Sequence, residues 1–132
     1  MLDGCSVGNV FAFPAYSKIA DMIRACDRGA GVLCLYGNYG GDKMNFNQAI
    51  EDVDFDDIKC TSVLVTDDVA SAPNAEKNKR RGVAGMVFAY KVAGAAAKRM
   101  MNLEEVTAVA QKAVDNTRTM GVALTPCIVP EV

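Results

Sequence analysis

Residues Gly37 to Phe46 read Gly-Asn-Tyr-Gly-Gly-Asp-Lys-Met-Asn-Phe and place one carboxylate, Asp42, in a glycine-rich stretch. A carboxylate there can accept a hydrogen bond from a substrate hydroxyl, orient it and help remove its proton. With an ordinary pKa of ~3.9 it is a poor base for an alcohol by itself, so it would work beside a stronger base. Aspartate ahead of a helical pattern also serves as an N-cap, favoured by the first-turn amides and the helix dipole. The residues alone leave both roles open. Gly40 and Gly41 give a small molecule room to approach the backbone. The chain has no histidine, the side chain best suited to proton transfer near neutrality. Ser-His-Asp and Cys-His chemistry are therefore excluded, and acid–base work falls to carboxylates, lysine, tyrosine or a partner's residues.

Other residue clusters point to less. The cysteines Cys5, Cys26, Cys34, Cys60 and Cys127 are odd in number and form no Cys-x-x-Cys. They read as buried cytosolic thiols rather than disulfides or a zinc site, and no metal site is expected. Asp67-Asp68 could suggest magnesium, but a strand-end turn with one capping and one solvated carboxylate is the simpler reading. Lys77, Lys79, Arg80 and Arg81 precede a helix start, a recipe for anion binding, although a solvated loop explains them as well. The acidic run Glu51, Asp52, Asp54, Asp56 and Asp57 reads as solvated surface. Gly40-Gly-Asp-Lys43 lacks the spacing and hydroxyl of a P-loop. Gly29-Ala-Gly31 precedes a strand and so is no dinucleotide fingerprint.

The elements that must position Asp42 follow from periodicity. Gly31–Tyr36 is an apolar run expected to be a buried parallel strand. Phe46, Ala49, Ile50 and Val53 repeat at helical spacing, predicting a helix over Met44–Val53. A glycine loop between a strand's carboxyl end and a helix start is where open α/β sheets bind ligands. Upstream, Val7–Phe13 is strand-like, Pro14 suits a first helical position, Ile19, Met22, Ile23 and Cys26 form a helical stripe, and Gly29 is a stop. Downstream, Cys60–Thr66 is a second strand and Ser71–Arg81 a loop. Gly82–Met101 is apolar on nearly every side and predicts a buried helix, with Gly85, Ala89, Ala93 and Ala97 as a small-residue face and Lys91 snorkelling or paired. Asn102 and Glu105 form a capping box for a helix lined by Val106, Ala110, Ala113, Val114 and Thr117. Gly121–Val129 is expected to be a final strand. This order predicts an α/β fold, a mostly parallel sheet with helices on both faces.

At 132 residues, 51% of them hydrophobic, with a net charge of −2, the chain is expected to be one domain (1–132) burying roughly 70% of its unfolded surface. The charge balance leaves no footprint for nucleic acid or acidic lipid. Val83–Ala97, broken by Lys91, falls short of the ~20 apolar residues a membrane span needs, and no leader is evident.

The decapeptide also carries a resemblance. With Met1–Phe11, Asp67–Ala70, Arg80–Gly85, Ala93–Ala97 and Met120–Pro130, taken in that order, the chain resembles the substrate-binding subunit of dihydroxyacetone kinases. It is shorter than that subunit and resembles the middle of its first domain. The resemblance implies a three-layer α/β/α fold, present as an incomplete first domain. It implies a ketose site including Gly37, Gly41 and Asp42, with Asp42 the catalytic aspartate that bonds a substrate hydroxyl and assists its deprotonation.

The rest of the function is likewise implied by the resemblance. The parent would phosphorylate a primary alcohol of a short ketose, drawing on ATP-Mg or a phosphoryl-carrier partner held on a separate nucleotide-binding domain or subunit. This segment would bind no cofactor and be inactive alone. The two family histidines, one of which bonds the ketone covalently, match segments outside these residues. Relatives commonly carry Lys where Gly37 stands and Thr where Gly40 stands. A wider, less cationic pocket is therefore expected, which makes erythrulose an alternative to dihydroxyacetone. A non-catalytic ketose-binding co-regulator is a second alternative. A cytoplasmic homo-oligomer is expected.

Overall fold

Strands β1 (Val32–Gly37) and β2 (Cys60–Val65) pair in parallel, Val32 opposite Cys60 and Gly37 opposite Val65. Strand side chains alternate between faces, so each strand feeds two cores. Leu33, Leu35, Val63 and Val65 face one way, onto Ala89, Ala93, Ala96, Val106, Ala110 and Val114. Val32, Cys34, Tyr36, Cys60 and Leu64 face the other way, onto Ile19, Ala20, Ile23, Ala49 and Val53. The first set of partners comes from α3 (Met86–Lys98) and α4 (Leu103–Asp115), the second from α1 (Tyr16–Cys26) and α2 (Gly40–Asp54). The arrangement, seen in a computed structural model that describes residues 1–128, is the expected three-layer α/β/α stack. Ile19, Val53, Val63 and Val65 are sealed from solvent, each stabilising the fold by about 1.5–3 kcal/mol.

Local sequence explains most element ends. Gly29 adopts φ 91°, a conformation glycine reaches without a Cβ penalty, and the chain turns there out of α1. Asn102 caps α4 as its sequence predicts: Glu105 N–H donates to Asn102 Oδ1 at 2.9 Å and Asn102 N–H to Glu105 Oε2 at 3.0 Å. A short 3-10 turn, Asn74–Lys79, lies within the 71–81 loop.

Several expectations fail. Val7–Phe13 is not a strand but an exposed turn, in which Ala12 N–H donates to Asn9 O at 3.0 Å. Residues 121–128 form no strand either; position 129 lies outside the described residues. Both runs have strand-like composition, but among the described residues no neighbouring strand pairs with them, and a strand needs its ladder. Beyond the end of β2, Thr119 forms an isolated parallel bridge with Asp68. Pro14 is buried before α1 rather than at its first position. Helix α2 starts at Gly40, not Met44, so the glycine pair lies inside its first turn.

Helix α3 is not buried all round. Ala89, Ala93 and Ala96 pack inward, while Val87, Phe88 and Val92 are exposed. Ala97 and Lys91 also lie on the outside. The acidic surface is partly paired: Arg24 reaches Asp52 at 3.0 Å and Asp56 at 2.7 Å, joining α1 to the end of α2. Those carboxylates hold its guanidinium further above its usual value.

Candidate functional site

At its carboxyl end β1 runs into Asn38 and Tyr39, and α2 begins at once. Asn38 N–H donates to Val65 O at 3.1 Å, extending the ladder by one bond. Its side-chain amide donates to Asn78 O at 3.0 Å and Arg80 O at 2.7 Å, fastening the 71–81 loop over the strand ends. Tyr39 folds back, its hydroxyl donating to Gly82 O at 2.9 Å. The Arg81 guanidinium lies 5.3 Å from the Tyr39 ring centre, within cation–π range. Gly82 itself sits so close that an added Cβ would fall 2.6 Å from Val65 O and 2.9 Å from Gly37 Cα.

Asp42 stands in the first turn of α2, with Tyr39 as the capping residue. It is therefore not the N-cap, although the helix dipole still favours its charge. The residue is half-buried. Burial pushes its carboxyl above the ordinary value, and a hydrogen bond to its own main-chain amide opposes that. No Lys or Arg pairs with it among the described residues. Two phenols lie within reach of its charge. Burial pushes both the Tyr36 and the Tyr90 hydroxyls up, and the Asp42 carboxylate adds to the shift in each. Tyr36 is fixed by its ring, stacked on Phe46 at 3.9 Å.

Gly37 and Gly41 precede Asp42, and both lie under aromatic rings. A Cβ on Gly37 would fall 2.8 Å from Tyr39 Cε2, and one on Gly41 2.1 Å from Phe13 Cδ1. Gly37 thus leaves no vacancy, contrary to the expectation that it widens the site: the Tyr39 ring fills the space. Gly40 faces open space, with nothing within 4 Å of an added Cβ.

The other clusters resolve differently. Asp67 is fully buried. Its carboxylate accepts from Val83 N–H and Gly85 N–H, each at 2.9 Å, and from the Thr119 hydroxyl. Burial would raise its pKa, but these three donors outweigh burial and hold it below the usual carboxylate value. It caps the entry to α3, and its oxygens are taken, so the magnesium reading falls. Asp68 accepts from Ala70 N–H at 3.0 Å, a turn contact. The basic run is dispersed. Arg80 is buried, its Nε donating to Ala72 O at 2.9 Å, and Lys79 pairs with Glu76 at 2.9 Å. The solvated-loop reading therefore fails for Arg80. Burial pushes the Cys34 thiol up to about 12 and also raises Cys60 and Cys26, which makes these thiols poor nucleophiles.

Sequence reasoning named Gly37, Gly41 and Asp42, read a cap at Asp67-Asp68, and missed Phe13, Asn38 and Tyr39. Asn38 and Tyr39 sit in the same motif, but their partners lie about forty residues away, at 78–82.

The Dak1 domain family matches residues 1–132. The chain is 46% identical over 132 residues to the dihydroxyacetone-binding subunit of PTS-dependent dihydroxyacetone kinase 1 of Listeria innocua, covering 100% of this chain and 40% of that relative. It is 42% identical over 127 residues to L-erythrulose kinase of Pectobacterium atrosepticum, covering 96% of this chain and 22% of that one. The crystal structure of the dihydroxyacetone kinase of C. freundii superposes with a TM-score of 0.86 at 36% identity, over 93% of this chain and 22% of that one. The chain spans less than half the length of either curated relative.

Proposed function

The chain belongs to the Dak1 domain family, and on that premise we propose that it is the ketose-binding part of a dihydroxyacetone-type kinase. The full-length protein phosphorylates a primary alcohol of a short ketose. The observation that carries this reading is Asp42: half-buried in the first turn of α2 and free of a cationic partner among the described residues. An ionised carboxylate so placed accepts the hydroxyl's hydrogen bond and points the oxygen lone pair at an incoming phosphoryl group. As a weak base it assists deprotonation rather than completing it. With no histidine among the 132 residues, the stronger base lies outside them. Gly41 lies under the Phe13 ring and Gly37 under the Tyr39 ring, and the exposed Gly40 leaves the start of α2 open to a ligand.

The phosphoryl donor, ATP-Mg or a phosphoryl-carrier partner, sits on a separate domain or subunit, since this segment has no phosphate loop. The cytoplasm, a homo-oligomer and a role in glycerol metabolism complete this reading. A four-carbon ketose such as erythrulose is the second substrate, favoured by the likeness to an erythrulose kinase. The test is Asp42→Asn in the full-length protein. Turnover falls by about 10² or more while ketose binding persists. Wild-type turnover in that variant would contradict the assignment, and ketose binding by the wild type without any turnover would indicate a co-regulator instead.

A further inference from the structure

Phe13 packs against Gly41 of the candidate site and belongs to neither core. Its ring lies on the Cα of Gly41, where any Cβ would sit 2.1 Å from Cδ1 and 2.3 Å from Cε1, yet the residue is 48% exposed. One side thus covers the residue before Asp42 while much of the group remains open. The backbone that delivers it is unusually constrained. Phe11 holds φ 54°, a conformation bulky residues avoid. Gly8 is packed so that an added Cβ would fall 2.3 Å from Ala12 O. Pro14 restricts Phe13 to extended backbone and is itself anchored, its carbonyl accepting from the buried Asn45 Nδ2 of α2 at 2.8 Å. Backbone strain of this kind persists only where the surroundings enforce it, and it gathers at ligand sites.

We propose that Phe13 is a specificity-determining wall of the ketose site, on which the C–H face of the bound ketose packs while Asp42 takes its hydroxyl. This rests on the ketose reading above. A ring has no polar atom to satisfy a hydroxyl, so it favours ligands that turn carbon toward it and disfavours those that turn oxygen toward it.

The experiment measures kcat and KM of the full-length protein for dihydroxyacetone and erythrulose in wild type, Phe13→Leu, Phe13→Tyr and Asp42→Asn. Phe13→Leu keeps apolar bulk on Gly41 but loses the flat face. KM rises about tenfold, by more than kcat falls, and Phe13→Tyr recovers at least threefold of that loss. Phe13→Met repeats the comparison if Phe13→Leu does not fold. Wild-type KM in Phe13→Leu together with collapse of Asp42→Asn overturns the aromatic wall and leaves the ketose site standing. Wild-type kinetics in both variants overturn the two together.

Discussion

Asp42 and Asp67 are the same residue type placed for opposite ends. Burial raises Asp42, so its ionised, accepting form predominates only above the ordinary aspartate value of ~3.9. The acid limb of kcat/KM in the full-length protein is therefore expected above that value and should vanish in Asp42→Asn; a pH profile of the two proteins checks both. Because Asp42 is not the N-cap, the same substitution costs only the dipole interaction, roughly 0.3–1 kcal/mol, read as a small change in Tm. Asp67 has its pKa lowered, so its ionised form is held more tightly folded than unfolded. That stabilisation is complete above ~3.9 and is lost as the pH falls through the lower folded value. Asp67→Ala leaves two amides and a hydroxyl without their acceptor and is expected to destabilise by about 3 kcal/mol at neutral pH. Denaturant melts across the pH range should show that gap closing in acid. Asp42 stood out in the sequence because Gly40 and Gly41 precede it. Asp67 was legible only as a cap, because the Thr119 hydroxyl that completes its shell is 52 positions away.

Among elements, the contact between the first turn of α2 and the segment before α1 is the most specific. Gly41→Ala drives a methyl into the Phe13 ring and is expected to cost about 1–3 kcal/mol. Adding Phe13→Ala removes the obstacle, so a double-mutant cycle of Tm or unfolding free energy should show the two changes strongly non-additive; additive losses would mean that the ring moves aside freely. Strands β1 and β2 were readable from short apolar runs bounded by turn residues, and α4 from its capping box. The runs 7–13 and 121–128 were misread because composition reports the fitness of a strand, not the presence of an edge to pair with. Helix α2 was placed four residues late because glycines look like loop, yet their amides fit the first turn, where no intrahelical partner is needed.

At the scale of the whole molecule, the parallel pair brings the ends of β1 and β2 together, Asn38 and Tyr39 clamp the 78–82 loop across them, and α2 leaves from that point with Asp42 in its first turn. That geometry puts Asp42 at the carboxyl ends of the strands, where open α/β sheets bind ligands. The layered fold was legible because two-sided burial leaves a sequence signature. The filling of Gly37 by Tyr39 was not, since a glycine's neighbours in space are silent in the chain. The most direct measurement is phosphorus NMR of the full-length protein, supplied with its phosphoryl donor and with dihydroxyacetone or erythrulose, in wild type and Asp42→Asn. Formation of a ketose phosphate by wild type, slowed about 10² or more in a variant of near-unchanged Tm, is the predicted result. Absence of any ketose phosphate from wild type, or its formation at the wild-type rate by Asp42→Asn, would contradict it.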